Sequence, residues 1–80
     1  LSSGVIVPGA VVAGTLSEQQ ASTDLTEDTD EHYSGTLLVF TSGALTGQRL
    51  SVTDYDGTTK VLTFSQATEI PQVGDSFILV

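Results

Sequence analysis

The sequence predicts an all-β fold: a small antiparallel β-sandwich or open barrel built on a β-meander. Within residues 35–64, three apolar-rich runs are separated by Gly-bearing turns, which is the pattern of consecutive hairpins. The runs cover residues 36–41, 48–54 and 58–64. A chain of 80 residues holds one domain at most. We divide it into an N-terminal apolar arm, residues 1–16, and a small β domain, residues 17–80.

The N-terminal arm contains two apolar stretches. Residues 5–7 precede Pro8-Gly9 and indicate a short strand closed by a turn, and residues 10–16 indicate a second, weaker strand. Because neither stretch alternates cleanly, each is expected to be buried on two sides or paired with another chain. Two interpretations stay open: the strands complete this domain's own sheet, or they pack on a neighbouring subunit. The residues predicted at such an interface are Val5, Ile6, Val7, Val11 and Val12.

Residues 17–33 form a polar segment. Ser17 with Gln20 three residues later matches a helix capping box, but no apolar stripe follows at helical spacing. We expect a loop with a short strand at residues 22–25 and one helical turn at residues 28–32. Leu25 and Tyr33 are its expected contacts with the core.

Half of the chain's ten carboxylates lie close together in residues 24–31 of this polar segment. They are Asp24, Glu27, Asp28, Asp30 and Glu31. An EF-hand loop beginning at Asp28 would require Gly at its sixth position and Glu at its twelfth, where this sequence has Tyr33 and Val39. The segment is therefore predicted to be a solvated acidic loop, with an irregular Ca²⁺ site as the alternative. No metal site and no cofactor is predicted.

Two registers are compatible with the hairpin around Asp56-Gly57. A two-residue loop would place Leu50 opposite Thr63, which pairs an apolar with a polar residue. A three-residue loop, Tyr55 to Gly57 with Gly57 left-handed in a bulge, pairs Leu50 with Leu62 instead. We therefore predict the three-residue loop. Its core-facing residues are Leu50, Val52, Leu62 and Phe64.

The other turns are marked by Gly, Asp and Pro. In the last connection, Pro71 fixes a bend, and Ile70 and Val73 are expected to face inward. A final strand, residues 76–80, places Phe77 and Leu79 on one face. The residues predicted to have structural roles in turns are Gly35, Gly43, Gly47, Tyr55, Asp56, Gly57, Gly74 and Asp75.

No motif for catalysis is found in the sequence. The chain has one histidine, His32, and no Cys, so neither a multi-histidine metal site nor a thiol nucleophile is available. Ser34-Gly35 and Ser42-Gly43 lack the G-x-S-x-G elbow of hydrolases, and turn geometry accounts for Asp54 and Asp56. We expect the protein not to be an enzyme and predict no catalytic residues.

Charge argues against two classes of partner. Ten acidic residues against Arg49 and Lys60 give a net charge of −8 at pH 7. Nucleic acids and anionic membranes bind basic patches, which two cations do not form.

The chain starts without Met and ends directly after an apolar run, so we expect a processed product or a piece of a longer protein.

Size argues for a protein partner. A domain of this length has a core that contributes only about 3–5 kcal/mol net, and without Cys no disulfide stabilises it. Oligomerisation or attachment to a larger body is the expected source of further stability, with a homo-oligomer favoured and a strand-exchanged trimer as one form.

Several motifs occur in a fixed order. Tyr33-Ser34-Gly35 is followed by TLLVFTSGALTGQ, then by Tyr55-Asp56-Gly57 with Thr59-Lys60 and Leu62-Thr63, and finally by Pro71 with Gly74-Asp75-Ser76-Phe77. This succession resembles a small β domain that recurs in bacteriophage virion proteins. The resemblance covers about residues 25–80 of the 80-residue chain.

The resemblance implies a structural protein located in the virion. The roles implied are a capsid decoration or cement protein, a head-fibre subunit, or a module of a tail fibre or tail hub. Partners would be other virion proteins, namely major capsid or fibre subunits. The alternative is a receptor- or carbohydrate-binding β module of a tail fibre. The few aromatic residues, most of them expected in the core, argue against that alternative.

Overall fold

A computed structural model describes residues 6–80 of the chain. This part contains strands and turns but no helix, so the all-β prediction is confirmed. The strands are β1 (Val7–Leu16), β2 (Gln20–Thr23), β3 (Leu37–Phe40), β4 (Arg49–Asp56), β5 (Val61–Phe64) and β6 (Ser76–Leu79).

The six strands close into a barrel in the order β1-β2-β5-β4-β3-β6. Strands β3, β4 and β5 form the predicted meander, and β6 returns to lie between β3 and β1. Every pairing among these strands is antiparallel. The predicted sandwich or open barrel is not confirmed, because β1 pairs with both β2 and β6 and so closes the sheet.

The barrel encloses one apolar core. Phe40 lies edge-on to Phe64 and Phe77, with ring centroids 6.5 and 6.2 Å apart, and Tyr33 lies edge-on to Tyr55 at 4.8 Å. All five Phe and Tyr rings are therefore in the core, where most of them are expected from the sequence. The buried apolar residues are Val11, Ala21, Leu25, Tyr33, Leu38, Phe40, Leu45, Leu50, Val52, Tyr55, Leu62, Phe64, Ala67, Phe77 and Leu79.

The predicted turn at Pro8-Gly9 is wrong, because β1 continues through both residues. Pro8 pairs with Ile78 of β6, whereas β2 pairs with β1 only from Val11 onward. The missing N–H of Pro8 therefore interrupts no ladder on the β2 side. Gly9 faces the core, where a Cβ would lie 2.5 Å from Cζ of Phe77. Glycine is thus used here to admit an aromatic ring, and not to turn the chain.

The predicted register of the β4–β5 hairpin is also wrong. Asp56 pairs with Val61 and Tyr55 with Leu62, which leaves a four-residue turn at residues 57–60. Asp56 Oδ1 accepts hydrogen bonds from the backbone N–H groups of Thr58 and Thr59, at 2.8 and 3.1 Å. This carboxylate stabilises the longer turn at its start. The left-handed residue is Lys60, with φ of 62°, rather than Gly57.

The hairpin's bulge lies within β4, away from the turn. The register shifts between Val52 and Asp54, so Val52 and Tyr55 both face the core although two residues, an even number, lie between them. The predicted core-facing set, Leu50, Val52, Leu62 and Phe64, is buried as expected. A bulge allows this outcome because one extra residue in β4 reverses the alternation of its side chains.

The polar segment is more extended than predicted. Ser17 Oγ accepts the N–H groups of Gln19 and Gln20, which forms a tight turn between β1 and β2 instead of a helix cap. The short strand is β2, two residues earlier than predicted, and residues 30–35 form turns. Leu25 and Tyr33 are buried, which confirms both as core contacts.

The connection before β6 differs from the prediction at two residues. Ile70 and Val73 are 47% and 60% exposed, so they do not face inward. Ala67 and Pro71 fill that part of the core instead. Phe77 and Leu79 face inward as predicted.

Candidate functional site: an apolar outer face

The outer surface of β6, β3 and the first half of β1 is apolar apart from Ser76, which pairs with Ala10. Side chains alternate along each strand, so the neighbours of core-facing residues such as Val11, Phe77 and Leu38 point outward. We call this surface the apolar outer face. Its residues are Ile6, Pro8, Ala10, Val12, Leu37, Val39, Ile78 and Val80.

Strand register arranges the apolar outer face in rows. Pro8 pairs with Ile78, and Ile78 pairs in turn with Val39, which gives a row across all three strands. In the neighbouring row, the backbone groups of Leu37 and Val80 exchange two hydrogen bonds of 3.0 Å. Side chains aligned in this way lie about 5 Å apart and form a continuous surface.

The apolar outer face is open to solvent. Ile6 is 57% and Val80 41% exposed, and Pro8 is exposed as well. Leu37, Val39 and Ile78 are half-buried because they pack against their cross-strand neighbours. An antiparallel sheet with one solvated face usually carries polar residues there. A three-strand apolar outer surface is instead typical of a contact site.

The opposite outer surface, on β2, β5 and β4, is polar. It contains a shallow groove of about 220 Å³. The groove is lined by Thr15, Gln20, Asp54, Asp56, Thr59, Val61 and Thr63. The barrel therefore has two chemically distinct sides.

One charged residue lies at each margin of the apolar outer face. Arg49 of β4 pairs with Val39 and is exposed. Asp24 lies beside Ala10, whose backbone N–H donates to Asp24 Oδ1 at 2.9 Å. Within residues 6–80, Arg49 takes part in neither of the ion pairs that the structure contains.

The residues predicted at the interface lie on two sides of β1, some facing the core and some facing outward. Val7 and Val11 of β1 face the core, Val11 with 1% of its surface exposed, so Val11 is not available to a partner. Ile6 and Val12 lie on the apolar outer face, and Val5 lies outside the described residues. Of the two interpretations of the N-terminal arm, pairing within this domain's own sheet is confirmed for residues 7–16, because β1 pairs with β2 and β6.

Sequence reasoning missed the larger part of this surface. Leu37, Val39 and Ile78 lie in runs that are apolar at every position, LLVF and FILV. Such runs signal burial on both sides of a strand. LLVF and FILV therefore carry the sequence signal from which these outward residues could have been predicted.

Four of the predicted turn glycines have left-handed backbone. The φ values are 87° at Gly35, 80° at Gly43, 87° at Gly47 and 95° at Gly74. The other predicted turn residues lie in the β4–β5 hairpin or directly before β6. Tyr55 lies in β4 and Asp56 ends it, Gly57 occupies the turn without a left-handed φ, and Asp75 is buried with Oδ2 accepting the N–H of Gln72.

The acidic loop, residues 24–31, is fastened to the β4–β5 turn. Lys60 Nζ donates to the carbonyl oxygens of Glu27 and Gly57 and to Asp28 Oδ1. Asp30 Oδ1 accepts the Gly57 N–H at 2.8 Å. These contacts hold the loop at one end of the barrel, where its carboxylates remain mostly exposed.

Tyr55 adds a buried contact to the same loop. Its hydroxyl donates to the carbonyl oxygen of Glu27 at 2.7 Å, and its backbone oxygen accepts the N–H of Glu31 at 2.8 Å. Burial raises the pKa of Tyr55 to about 12, with Tyr33 and Glu27 adding to the shift. Burial also raises the pKa of Tyr33.

Two exposed carboxylates of this region have lowered pKa values. Hydrogen bonds from Thr29 lower the pKa of Glu27, and hydrogen bonds from Thr59 and Thr58 lower the pKa of Asp56. Each carboxylate is thus used to fix a local turn.

The carboxylates of the acidic loop do not converge on one point. Asp28 pairs with Lys60, Asp30 binds the Gly57 N–H, and Glu27 Oε1 lies 3.6 Å from His32 Nε2. Among residues 6–80, no group of three or more potential metal ligands is present.

Over the same residues, no helix is long and apolar enough to span a membrane.

A second groove, of about 370 Å³, lies beside Ile70. Its lining combines the carboxylates of Glu18 and Glu69 with Ala44, Ile70 and Gln72. The groove has one large apolar side chain, so it offers far less apolar surface than the outer side of β1, β6 and β3.

No protein-family model, curated protein or solved structure matches the chain.

Proposed function

We propose that the chain is a non-enzymatic structural subunit that acts by packing its apolar outer face against another protein surface in a virion. The virion setting follows from the sequence resemblance, and the contact follows from the chemistry of the barrel surface. Capsid decoration and head-fibre subunits are the roles that this combination favours.

One observation carries the proposal: the outer side of three adjacent strands is apolar apart from Ser76. Rows such as Pro8, Ile78 and Val39 bring large side chains together at the surface. Burying such residues contributes about 25 cal/mol per Å² of apolar area removed from water. A small domain gains more from such a contact than a large one does, because its own core is small.

Charge distribution supports a contact on this side of the barrel. The chain carries a net charge of −8, and the carboxylates of Asp54 and Asp56 lie on the opposite side. Docking through the apolar outer face leaves those carboxylates in water, so no free energy is lost by removing their charges from water.

A carbohydrate-binding module of a tail fibre is a weaker candidate. Sugar recognition commonly uses exposed aromatic rings, and all Phe and Tyr residues of this chain are buried. The chain contains no Trp.

The test uses cysteine as a probe, because the chain contains none. Ile78→Cys places a thiol on the apolar outer face, and Val61→Cys places one on the polar side of the barrel. In virions that incorporate the chain, we expect maleimide to label residue 78 at least tenfold more slowly than residue 61.

The free chain at about 1 µM, a concentration too low for appreciable self-association, provides the control, since both positions are half-buried there and should react at similar rates. Equal labelling rates at the two positions in virions would contradict the proposed contact face. Absence of the chain from purified virions would contradict the virion role.

A further inference from the structure

We propose that the apolar outer face binds the same face of a second copy of this chain, around a two-fold axis parallel to β6. The inference rests on the proposed function, because it names the partner of the same contact face.

Strand order makes the face suitable for a two-fold contact. A two-fold interface uses one patch twice, so the patch must complement itself. β6 lies in the middle of the face, between β1 and β3. Rotation about an axis along β6 places β1 of each copy over β3 of the other and brings the two Ile78 side chains together at the centre.

The charges at the two margins complement each other under this rotation. Arg49 lies beyond β3 and Asp24 lies beyond β1. The rotation therefore brings Arg49 of each copy to Asp24 of the other, which gives two equivalent ion pairs. An axis running across the strands would instead place Arg49 over Arg49, so charge selects the axis along β6.

The spacing along the strands permits these ion pairs. Arg49 is in the row of Val39, Ile78 and Pro8, whereas Asp24 lies beside Ala10. Ala10 lies two positions after Pro8, which corresponds to about 7 Å along a strand. A long Arg side chain spans this distance at the edge of two sheets packed about 10 Å apart.

The size of the face predicts a weak dimer. Three strands spaced about 4.8 Å apart and about five residues long cover about 240 Å² in projection. Even with its margins, the contact stays below the total of about 1,200 Å² that separates weak from stable interfaces. We therefore expect association in the range of about 10 to 100 µM.

Reversing the charges of Arg49 and Asp24, singly and together, tests the two-fold axis along β6. Sedimentation velocity over a concentration series is compared for the wild type, Arg49→Glu, Asp24→Lys and the double variant. Each single variant places like charges together at both symmetric contacts, so we expect the dissociation constant to rise about tenfold. The double variant restores opposite charges and should return to within about threefold of the wild type.

Two further variants control for fold and for net charge. Asp24→Asn keeps an oxygen that can accept the Ala10 N–H and removes only the charge, so it should weaken the dimer less than Asp24→Lys. Asp54→Lys makes the same charge change on the polar side of the barrel and should not weaken association.

The outcomes separate this inference from the proposed function. A wild type that stays monomeric at about 500 µM, far above the expected range, would overturn the inference, whereas thiol labelling in virions judges the contact face independently. A double variant no tighter than either single variant would overturn the two-fold axis along β6.

Discussion

Substitution of Gly57 by Ala tests how the acidic loop is held against the β4–β5 turn. An ideal Cβ at this position would lie 2.2 Å from the carbonyl oxygen of Asp28 and 2.9 Å from the carbonyl carbon of Thr29. Because ordinary contacts between such atoms are above about 3 Å, the loop backbone must move by about 1 Å. Gly57 does not have a left-handed φ, so the substitution disturbs packing and adds no left-handed backbone strain.

The expected loss of stability follows from the hydrogen bonds that such a shift of the loop weakens. Asp30 binds the Gly57 N–H, Glu31 binds the backbone of Tyr55, and the carbonyl oxygen of Glu27 accepts from Tyr55 and Lys60. Each hydrogen bond contributes about 0.5–1.5 kcal/mol net. We therefore expect Gly57→Ala to lower the free energy of unfolding by about 2–4 kcal/mol, measured by urea titration.

Gly35→Ala is the matched control. Gly35 has φ of 87° and no atom within 4 Å of an added Cβ, so only left-handed strain of about 1–2 kcal/mol applies. If Gly57→Ala cost no more than Gly35→Ala, the packing of the loop against the turn would not be a source of stability.

Three further predictions concern the barrel and its loop. Gly9→Ala should lower the free energy of unfolding by about 1–3 kcal/mol by overpacking against Phe77, and an unchanged urea midpoint would show that the ring moves freely. Since the folded pKa of Tyr55 is about 12 against an ordinary 10.0, its contribution to stability is complete below pH 10 and is lost as the pH rises towards 12. Tyr55→Phe should flatten that decline in urea titrations at several pH values, and an equally steep decline would assign it to other groups. Lys60→Met removes the donors to Glu27 and Asp28 and should cost about 1–2 kcal/mol, whereas Arg49→Met, with the same charge change, should stay within about 0.5 kcal/mol.

The sequence predicted the meander because its signals are local. Apolar alternation through Leu50, Val52, Leu62 and Phe64 identifies the core-facing side whichever turn joins the strands. The turn itself depends on Lys60, whose left-handed backbone is accompanied by contacts with residues 27 and 28, more than thirty residues away. Local turn preferences favour Gly at such a position and do not include distant contacts.

The apolar outer face was only partly predictable. Its apolar runs are visible in the sequence, but which strands lie side by side is decided by barrel closure. Pro8 and Val39 become members of one row only because β6 lies between β1 and β3. The N-terminal strand is longer than its sequence indicates. Pro-Gly usually marks a turn and so predicts that the strand ends there. In the structure Gly9 lies within the strand, because a Cβ at this position would collide with the ring of Phe77.

The central claim is that the apolar outer face of this chain binds the same face of a second copy. Sedimentation velocity of Ile78→Ser and Val61→Ser against the wild type tests it most directly, because both substitutions remove a half-buried, outward aliphatic side chain from opposite sides of the barrel. We expect all three chains to unfold at similar urea midpoints, and we expect only Ile78→Ser to lose concentration-dependent association. Equal association of Ile78→Ser and Val61→Ser would contradict the claim.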